Sequence, residues 1–404
     1  MKKSDKRKFK NVKFKNEFSL LDIYKAYWDC RKNKRTTEAA IQFEFNLETN
    51  IAKLYEDLKN GKYKIGKSIC FVVLKPKPRE VWAADFRDRI VHHFVYNIIK
   101  DRFYSSFIKD TYSCIPKRGT LLAAKQLARY TQAVTDNYSK KAYYLKADIR
   151  NFFVSIDKKI LFDIVKDRVP EKWLCELIEQ IIFNNPKENA VIQSPKWKFK
   201  LLPFYKSLWG CDELKGLPIG NLTSQFFSNV YLNKLDQFVK NKLKCKYYCR
   251  YVDDFVILDE SPEKLNKYHR EITEFLIKEL KLELHQNKKT INLVQNGINF
   301  VGYKIKPNRI FLRQKTLRAM FRNANNFREN IFDVKEEALE YLFCLFNSYL
   351  GQLTCVKGYN IRKKLCAKIV FPFFCNDENY TKVRKMYVPE KHAEYLKFDE
   401  QAEG

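Results

Sequence analysis

The sequence CRYVDDFVIL at residues 249–258 places two adjacent acids between two runs of strand-forming residues. The first run is aromatic and β-branched and the second is almost wholly apolar, a pattern that predicts a strand, a tight turn and a second strand. The acids, Asp253 and Asp254, are therefore expected at the tip of a β-hairpin. Adjacent carboxylates repel each other unless a positive charge lies between them, and divalent cations commonly supply that charge.

A third acid lies upstream in a similar setting, within AYYLKADIRNFF at residues 142–153. Asp148 stands at the end of the strand-like part of this segment. Two strands that bring three carboxylates to one point supply what two Mg²⁺ ions, about 3.5–4 Å apart, need for in-line phosphoryl transfer. An Asp-Asp pair alone is also common in solvated turns. The apolar flanks and Asp148 favour catalysis, so we predict that Asp148, Asp253 and Asp254 are catalytic and hold two Mg²⁺ ions, with Mn²⁺ as a substitute.

The composition describes a globular and strongly basic chain of 404 residues. Hydrophobic residues make up 45% of it, and the chain is long enough for two or three subdomains around a sizeable core. Lys and Arg outnumber Asp and Glu by 77 to 47, which gives a formal net charge of +30. Such an excess indicates a polyanionic partner, with nucleic acid ahead of a membrane surface.

The cysteine pattern argues against zinc and for reduced thiols. The 11 cysteines are scattered along the chain without a Cys-x-x-Cys pair, whereas zinc sites draw their ligands from closely spaced pairs. Reduced thiols are the default for a cytosolic protein. The sequence also lacks an apolar run of the ~20 residues needed to span a bilayer. We therefore expect a soluble, cytoplasmic protein with no membrane partner.

The N-terminal third contains a basic arm and a projecting basic hairpin. Residues 1–18 are rich in lysine and form either a solvated tail or an arm that contacts phosphates. Residues 68–86 predict a β-hairpin whose turn carries two prolines and three cations. Lys75 and Arg79 in that turn are suited to grip a triphosphate, although a solvated hairpin tip would have the same composition. Arg118, in a later basic loop, is a further candidate for a phosphate contact.

A glycine-containing turn precedes the acidic hairpin, in GLPIGNLTSQ at residues 216–225. Such a turn lets the backbone approach a ligand closely and aims the N-terminus of the following helix at it. Gly220 and Gln225 are therefore expected near the ligand. Phe153, five residues after the first acid, could lie under the sugar of a nucleotide, but an ordinary core Phe would fit the same spacing. Residues 184–216, with three prolines and many lysines, are the best candidate for a loop or insertion.

The C-terminal third combines short strands with basic helices. Residues 282–291 and 297–305 alternate like strands, the first of them around a basic turn. Helical periodicity then returns with Arg318 and Arg322 on a shared face. Between residues 301 and 375, fourteen Lys or Arg stand against five Asp or Glu. A helical bundle with one basic face is suited to hold a duplex backbone.

Taken together, these motifs resemble those of reverse transcriptases, in the family's order, over about residues 65–375. The resemblance implies that Asp148 is the first catalytic carboxylate, with Ile149 beside it in the metal site, and that residues 251–254 form the metal-binding box. It implies an RNA template, a DNA or RNA primer and dNTPs as partners. Phe153 falls at the sugar-gate position and Lys289 in the motif near the triphosphate. The implied nucleotide contacts are Lys75, Arg79, Phe153, Ile219, Gly220, Gln225 and Lys289. The implied template and primer contacts are Arg118, Tyr251, the primer-grip residues Phe300 and Gly302, Arg318 and Arg322.

The fold that this resemblance implies is an α+β right-hand polymerase with fingers, an RRM-like βαββαβ palm and an α-helical thumb. No RNase H, DNA-binding or endonuclease domain is expected after the thumb. The expected divisions are a basic arm at 1–18, fingers with N-terminal helices at 19–135, a palm at 136–310 with an insertion at about 184–216, a thumb at 311–375 and a tail at 376–404.

Residues 219–225, IGNLTSQ, indicate one branch of the family. Most relatives, including group II intron and retron enzymes, carry Gln-Gly-x-x-x-Ser-Pro here, whereas Ile-Gly-x-x-x-Ser-Gln resembles the bacterial and phage enzymes of diversity-generating retroelements. Those enzymes copy a template-repeat RNA with frequent errors at adenines, and they work with a small basic accessory protein. Because Ile219 replaces an amide, it removes a donor and an acceptor near the nascent base pair and would loosen geometric selection.

Three other functions stay open on the sequence alone. They are a retron-type enzyme, a phage-defence relative that makes DNA without a template, and an RNA-binding scaffold on an inactive polymerase fold. Dependence of the product on added template separates the enzymes from one another. The three carboxylates and the gate aromatic disfavour the scaffold.

Overall fold

A computed structural model of the protein describes residues 18–32, 34–75, 77–329, 336–369, 373–375 and 377–385. The predicted basic arm at residues 1–18 lies outside the described residues except for Phe18, and so does most of the predicted tail at 376–404. The helices are α1 (Leu20–Arg31), α2 (Glu38–Glu44), α3 (Leu47–Lys59), α4 (Phe86–Tyr104), α5 (Thr120–Val134), α6 (Phe152–Ser155), α7 (Lys158–Lys166), α8 (Lys172–Phe183), α9 (Lys196–Lys200), α10 (Leu222–Gln237), α11 (Pro262–Leu280), α12 (Gln314–Glu329), α13 (Glu336–Thr354) and α14 (Tyr359–Cys366). The strands are β1 (Ser68–Val73), β2 (Arg79–Ala84), β3 (Tyr143–Asp148), β4 (Ala190–Ile192), β5 (Tyr247–Tyr251), β6 (Asp254–Asp259), β7 (Thr290–Leu293), β8 (Ile298–Phe300), β9 (Tyr303–Lys306), β10 (Arg309–Leu312), β11 (Phe373–Cys375) and β12 (Val383–Lys385).

The central sheet has four antiparallel strands in the order β5-β6-β3-β7. Helix α10 lies between β3 and β5 in the chain, and α11 lies between β6 and β7. The sheet and its two helices therefore follow the βαββαβ order that was predicted for the palm. The mixed α+β right-hand polymerase fold is confirmed.

Both faces of this sheet are buried, because successive residues of a strand point to opposite sides. Phe255 and Ile257 of β6 belong to the core that includes residues of α10 and α11. Val256 and Leu258 belong to a second core, shared with α5 and with α12. Burial on both faces explains why the sequence after the two acids is almost wholly apolar.

The fingers region contains a second sheet, in the order β2-β1-β4. Strands β1 and β2 form the predicted antiparallel hairpin, with Val73 paired to Arg79 at its tip. Strand β4 adds to β1 in parallel, and it comes from residues 184–216, which were predicted as a loop or insertion. Three residues are too short to give a periodic signal, and this strand forms through its partner.

A third sheet, β10-β9-β8, joins the palm to the C-terminal helices. The predicted strand pair at residues 297–305 corresponds to β8 and β9, and β10 extends across the expected boundary between palm and thumb at residue 310. Helices α12, α13 and α14 follow, and their apolar residues contribute to the second core. Among the described helices, even the longest ones lack the apolar length of a membrane span.

Two cysteines depart from the expectation of reduced thiols. Cys366 and Cys375 form a disulfide, with their Cα atoms 6.3 Å apart, and the other nine cysteines are free. Cys366 is the last residue of α14 and Cys375 is the last residue of β11. Strand β11 therefore brings Cys375 back to the end of α14, at a Cα separation that a disulfide can bridge. The sequence shows two cysteines nine residues apart and carries no sign of that return.

Candidate active site

The acidic hairpin has a two-residue turn, Val252 and Asp253, between the paired residues Tyr251 and Asp254. Val252 has a φ of +55°, in the left-handed region that a β-branched residue rarely adopts. Such strain persists only where the surrounding structure holds it, and it is most common at functional sites. The turn is therefore a place where neighbouring groups must supply a restraint.

A buried ion pair supplies this restraint. The guanidinium of Arg250 donates to both carboxylate oxygens of Asp236, at 2.7 Å from Nε and 2.6 Å from Nη2. Its Nη1 donates to the carbonyl oxygen of Val252 at 2.9 Å. Asp236 also accepts hydrogen bonds from Tyr248 at 2.8 Å and from Thr111 at 2.7 Å. The strained carbonyl is thus held by a guanidinium whose own charge is fully paired, an arrangement that fixes the turn rigidly.

The three predicted carboxylates meet where β3 ends beside this hairpin. Asp148 is the register partner of Asp254 across β3 and β6, so their side chains leave the same face of the sheet. The backbone N–H of Ile149 donates to the carbonyl oxygen of Asp253 at 3.2 Å. One carboxylate oxygen of Asp148 and one of Asp254 are buried without a hydrogen-bond partner in the described part of the chain.

Burial raises the free energy of the fully ionised carboxylate cluster. Desolvation, followed by the charge of Asp148, raises the pKa of Asp253 to about 7. Desolvation also raises the pKa of Asp254, although the nearby ammonium of Lys146 opposes that rise. Carboxylates that burial and mutual repulsion push toward protonation are stabilised by a bound cation.

Two lysines pair with these carboxylates. Lys146 Nζ lies 3.0 Å from Asp254 Oδ2 and donates to the carbonyl oxygen of Asn299 at 2.9 Å. Lys288 Nζ donates to Asp148 Oδ2. Within residues 18–385, as far as they are described, no three His, Cys, Asp or Glu side chains already stand in a metal-binding arrangement. The unpartnered buried carboxylate oxygens nevertheless fit a hard divalent cation, which takes oxygen ligands.

Three of the predicted nucleotide contacts lie at two places, the tip of the fingers hairpin and helix α6 of the palm. Lys75 and Arg79 are exposed at the tip of the β1–β2 hairpin. Phe153 lies in α6, half-buried against the main core, with its ring centroid 5.4 Å from that of Phe152. Its backbone carbonyl accepts from the N–H of Leu217 at 2.8 Å, so the chain before Gly220 is anchored beside it.

Gly220 touches the fingers hairpin through its backbone. It has a φ of +130°, and a Cβ at this position would lie 2.8 Å from the carbonyl oxygen of Trp82. The preceding carbonyl, of Ile219, accepts from the N–H of Trp82 at 2.7 Å. The amide of Asn221 accepts from the N–H of Ala84 at 3.1 Å, so three consecutive residues bind one strand. Only glycine fits at position 220.

The first turns of α10 hold the remaining predicted residue of this motif. Gln225 is exposed on the helix, whereas its neighbours Thr223 and Ser224 are buried. Its side chain is therefore accessible to a ligand on the open side of the helix.

Lys288 and Lys289 are adjacent, and only Lys289 was predicted to lie in the site. The structure instead directs Lys288 to the carboxylates. Lys289 Nζ donates to Asn266 Oδ1 of α11 at 2.8 Å, away from the acids. Lys288 precedes it at the end of a short 3-10 turn and reaches Asp148. Neither spacing nor composition distinguishes the two, because the rotation of that turn decides which side chain faces the site.

The predicted template and primer contacts are divided between buried and exposed positions. Arg118 uses its Nη1 to bind backbone carbonyls, those of Ile108 at 2.8 Å and of Thr111 at 2.7 Å. Phe300 is fully buried in the second core, and Tyr251 packs against that core. These three side chains make contacts within the protein and stabilise its fold.

The other three contacts are open to solvent. Gly302, with a φ of +91°, lies in the turn between β8 and β9, and a Cβ there would have no atom of the described residues within 4 Å. Arg318 and Arg322 are exposed on one side of α12, where both line an open groove of about 470 Å³ with Leu317 and Phe321. A basic helix face of this kind suits a phosphate backbone.

Residues that matter to the site were also missed by sequence reasoning. Lys146 could have been found, because it stands two residues before Asp148 in a strand and so shares its face. The Arg250–Asp236 pair could not, because its two members come from different elements and no local pattern links them.

A protein-family model matches the part of the chain that contains most of this site. The family model described as reverse transcriptase (RNA-dependent DNA polymerase) matches residues 75–305, a range that includes Asp148, Asp253 and Asp254. The group II intron-encoded protein LtrA of Lactococcus lactis subsp. cremoris is 20% identical over 389 residues, which cover 79% of this chain and 61% of LtrA. This chain thus spans about three-fifths of the length of that relative.

A second curated relative and a solved structure are also similar to this chain. Protein YkfC of Escherichia coli (strain K12) is 20% identical over 307 residues, which cover 68% of this chain and 74% of YkfC. The solved apo telomerase of Candida tropicalis, truncated from its C-terminal domain, aligns with a TM-score of 0.46 at 10% identity, over 62% of this chain and 55% of the telomerase. The family model matches more than half of the chain and contains all three acids. The chain therefore belongs to the reverse transcriptase family.

Proposed function

We propose that this protein is an RNA-directed DNA polymerase that extends a DNA or RNA primer along an RNA template by two-metal-ion nucleotidyl transfer. The observation that carries the proposal is the meeting of Asp148, Asp253 and Asp254 at one edge of the palm, with two of their buried oxygens unpartnered among the described residues. Membership of the reverse transcriptase family supports it.

In this proposal, Asp148, Asp253 and Asp254 hold two Mg²⁺ ions, for which Mn²⁺ can substitute. When bound, the ions lower the pKa of the primer 3′-hydroxyl and neutralise charge on the triphosphate. Lys146 pairs with Asp254 and Lys288 with Asp148, so both ammonium groups would balance part of the negative charge of the carboxylates beside the ions. The strained turn at Val252, held by Arg250, presents Asp253 in a fixed position.

Four other predicted residues position the reactants. Lys75 and Arg79 at the hairpin tip grip the triphosphate, and Phe153 lies under the sugar. Gly220 lets this segment of the palm pack against Trp82 of the fingers, beside the place proposed for the nascent base pair. The primer 3′-oxygen then bonds to the α-phosphorus as the bond to the bridging oxygen breaks, and pyrophosphate leaves.

A finer part of the proposal is that the template is the repeat RNA of a diversity-generating retroelement, copied with errors at adenines and with the help of a small basic accessory protein. The sequence Ile-Gly-x-x-x-Ser-Gln at residues 219–225 supports it. The half-buried Ile219, fixed by its bond to Trp82, would place an apolar side chain where relatives carry an amide.

Primer extension with sequenced products tests both levels. Wild-type protein receives a defined RNA template, a primer, Mg²⁺ and all four dNTPs, with a template-free reaction beside it. Template-dependent DNA with errors concentrated opposite adenine supports the whole proposal, and Ile219→Gln should lower those errors. Accurate copying would reject the retroelement role and keep the polymerase, whereas product without template would indicate the defence-type enzyme.

A further inference from the structure

A basic and aromatic surface lies outside the site described above, on residues 190–210. This stretch contains four lysines and no acidic residue. Four of its aromatic side chains are exposed: Trp197 at 54%, Phe204 at 70%, Tyr205 at 58% and Trp209 at 37%. Soluble proteins rarely expose large apolar groups in such a cluster without a partner. We call this the insertion surface.

The insertion surface is anchored firmly to the fingers sheet. Strand β4 pairs with β1, and Ser194 Oγ accepts from the N–H of Val72 at 3.0 Å. Beyond α9, the buried carboxylate of Glu80 in β2 accepts from the hydroxyl of Ser207 and from the N–H of Leu208, the latter at 3.0 Å. Both ends of the exposed segment are therefore fixed to the hairpin, which makes it a formed platform and not a loose loop.

The insertion surface lies next to the elements of the proposed polymerase site. Strand β4 runs parallel to β1, so the chain leaves Ser194 close to the hairpin tip that carries Lys75 and Arg79. At its other end Trp209 packs on Trp82, with ring centroids 5.3 Å apart. Trp82 is also the residue that binds Ile219 through its backbone. A strand of nucleic acid that passes the fingers would meet this surface next.

The chemistry of the surface fits single-stranded nucleic acid. Aromatic rings stack on bases without regard to sequence, and a positive groove follows the backbone. Lysine ammonium groups lie over two of the rings, Lys198 at 5.7 Å from Trp197 and Lys206 at 5.5 Å from Tyr205, so stacking and charge occur side by side. A duplex would hide its base faces from such rings, and an unpaired strand would not.

From these observations we infer that the insertion surface binds the uncopied, single-stranded part of the RNA template as it approaches the fingers. This inference rests on the proposed function, because it takes the strand that passes the fingers to be a template. It assigns a role to Trp197, Phe204 and Tyr205, which belong to the platform and not to the acidic hairpin.

Binding measured without catalysis tests this directly. A labelled RNA template annealed to a DNA primer is offered either blunt or with a single-stranded 5′ overhang of about 12 nucleotides, and affinity is read by fluorescence anisotropy without Mg²⁺ or dNTPs. Wild-type protein should prefer the overhang by roughly tenfold or more, given the strength of base stacking. The triple variant Trp197→Ala, Phe204→Ala, Tyr205→Ala should lose that preference and keep its affinity for the blunt duplex.

A matched control removes an equally exposed ring elsewhere. Phe45, at the end of α2, is 78% exposed, and Phe45→Ala should retain the full preference. Because all the substituted side chains are exposed, the variants should keep the wild-type thermal unfolding temperature. An overhang preference that is unchanged in the triple variant would overturn the inference and leave these rings as a protein-binding surface.

Charge is tested by salt dependence. Replacing Lys196, Lys198, Lys200 and Lys206 by Gln should lower the slope of log affinity against log salt for the overhang by up to about 3, since each contact to a single strand contributes roughly 0.7. The control removes the same charge from four exposed lysines in α3 and the loop after it, Lys53, Lys59, Lys62 and Lys64. If the two variants had the same salt-dependence slope, the lysines of the insertion surface would make no specific contact with the overhang, and the inference would fail. Because these measurements need no DNA synthesis, the two failures can be told apart: a protein that shows the preference but makes no product would reject the polymerase, and with it the role of the strand as a template, while the binding of unpaired RNA to the insertion surface would stand.

Discussion

Arg250 and Asp236 form an ion pair in which each side chain is only 1% exposed, and through it the protein holds the carbonyl of Val252 in the turn of the acidic hairpin. The pair comes from two elements, β5 and α10, so it also joins the strand that ends in the turn to the helix that begins after Gly220. A charge this deeply buried is tolerated only while its partner is present.

The first prediction concerns this pair. Asp236→Ala leaves a buried guanidinium unpaired and should lower the free energy of unfolding by about 3–5 kcal/mol. The double variant Asp236→Leu, Arg250→Met removes both charges and should be markedly more stable than the single variant, yet it should still extend primers poorly because the turn has lost its clamp. Urea unfolding and single-turnover extension measure the two effects. A double variant with normal extension would show that the clamp does not position Asp253.

The second prediction separates two adjacent lysines. Lys288 binds Asp148, whereas Lys289 binds Asn266 on the outside of α11. Lys288→Ala should slow nucleotide incorporation by roughly tenfold, or about 1.4 kcal/mol in the barrier, and Lys289→Ala should change it far less. Rapid-quench kinetics on both variants make the comparison. The reverse order would mean that the turn rotates when substrate binds.

A third prediction tests the contact between the palm and the fingers. Gly220→Ala places a Cβ against the backbone of Trp82 at a φ that alanine avoids, so it should lose both stability, by about 1 kcal/mol or more, and most extension activity. Gly61→Ala is the control, because Gly61 has a φ of +64° but a Cβ there would meet no described atom within 4 Å. If both variants retain activity, the close approach at position 220 is not needed for synthesis.

The fourth prediction is a pH dependence of stability. His92 is buried, and desolvation, with a smaller effect of positive charge on His93 and Arg89, lowers its pKa from 6.5 to about 3. The unfolded chain therefore binds more protons than the folded one between these values, and stability is kept above pH 6.5 and falls below it by up to about 1.4 kcal/mol per pH unit.

Substitution isolates the contribution of this histidine. The Nδ1 of His92 is buried without a partner in the described residues, so His92→Leu should cost little at pH 7.5. It should then flatten the loss of stability between pH 6.5 and 5, measured by urea unfolding; His93, whose pKa burial lowers to about 4, accounts for part of what remains. Equal slopes in the variant and the wild-type protein would argue against this origin.

Local sequence patterns predicted the palm because its strands contain clear apolar runs and alternation. The run after Asp254 is apolar because β6 is covered on both faces, and the same alternation placed Asp148 at the end of β3. Strands β4 and β10 were missed because three or four residues carry too little periodicity, and they form by pairing with neighbours. The disulfide and the Arg250–Asp236 pair depend on long-range return of the chain, which no local pattern encodes.

Side-chain direction was the harder part of the site. The sequence predicted where the candidate motifs lie in the fold but not the direction in which their side chains point. Arg118 was expected to meet phosphate, and its guanidinium binds the carbonyls of Ile108 and Thr111 instead. Phe300 similarly turns into the core. Exposed loops and tips, such as those of Lys75 and Gly302, were easier to place because no packing competes for them.

The most direct measurement is primer extension on an RNA template by wild-type protein, Asp253→Asn and Asp259→Asn, with Mg²⁺ and all four dNTPs. Asp253 lies in the turn of the acidic hairpin, and Asp259 is the last residue of β6, the strand that follows this turn. Asp259 pairs with Lys264 at 2.8 Å. We predict templated DNA from the wild-type protein and from Asp259→Asn, and none from Asp253→Asn although it folds and binds RNA as before. Extension by Asp253→Asn at the wild-type rate would contradict the assignment of these carboxylates to catalysis.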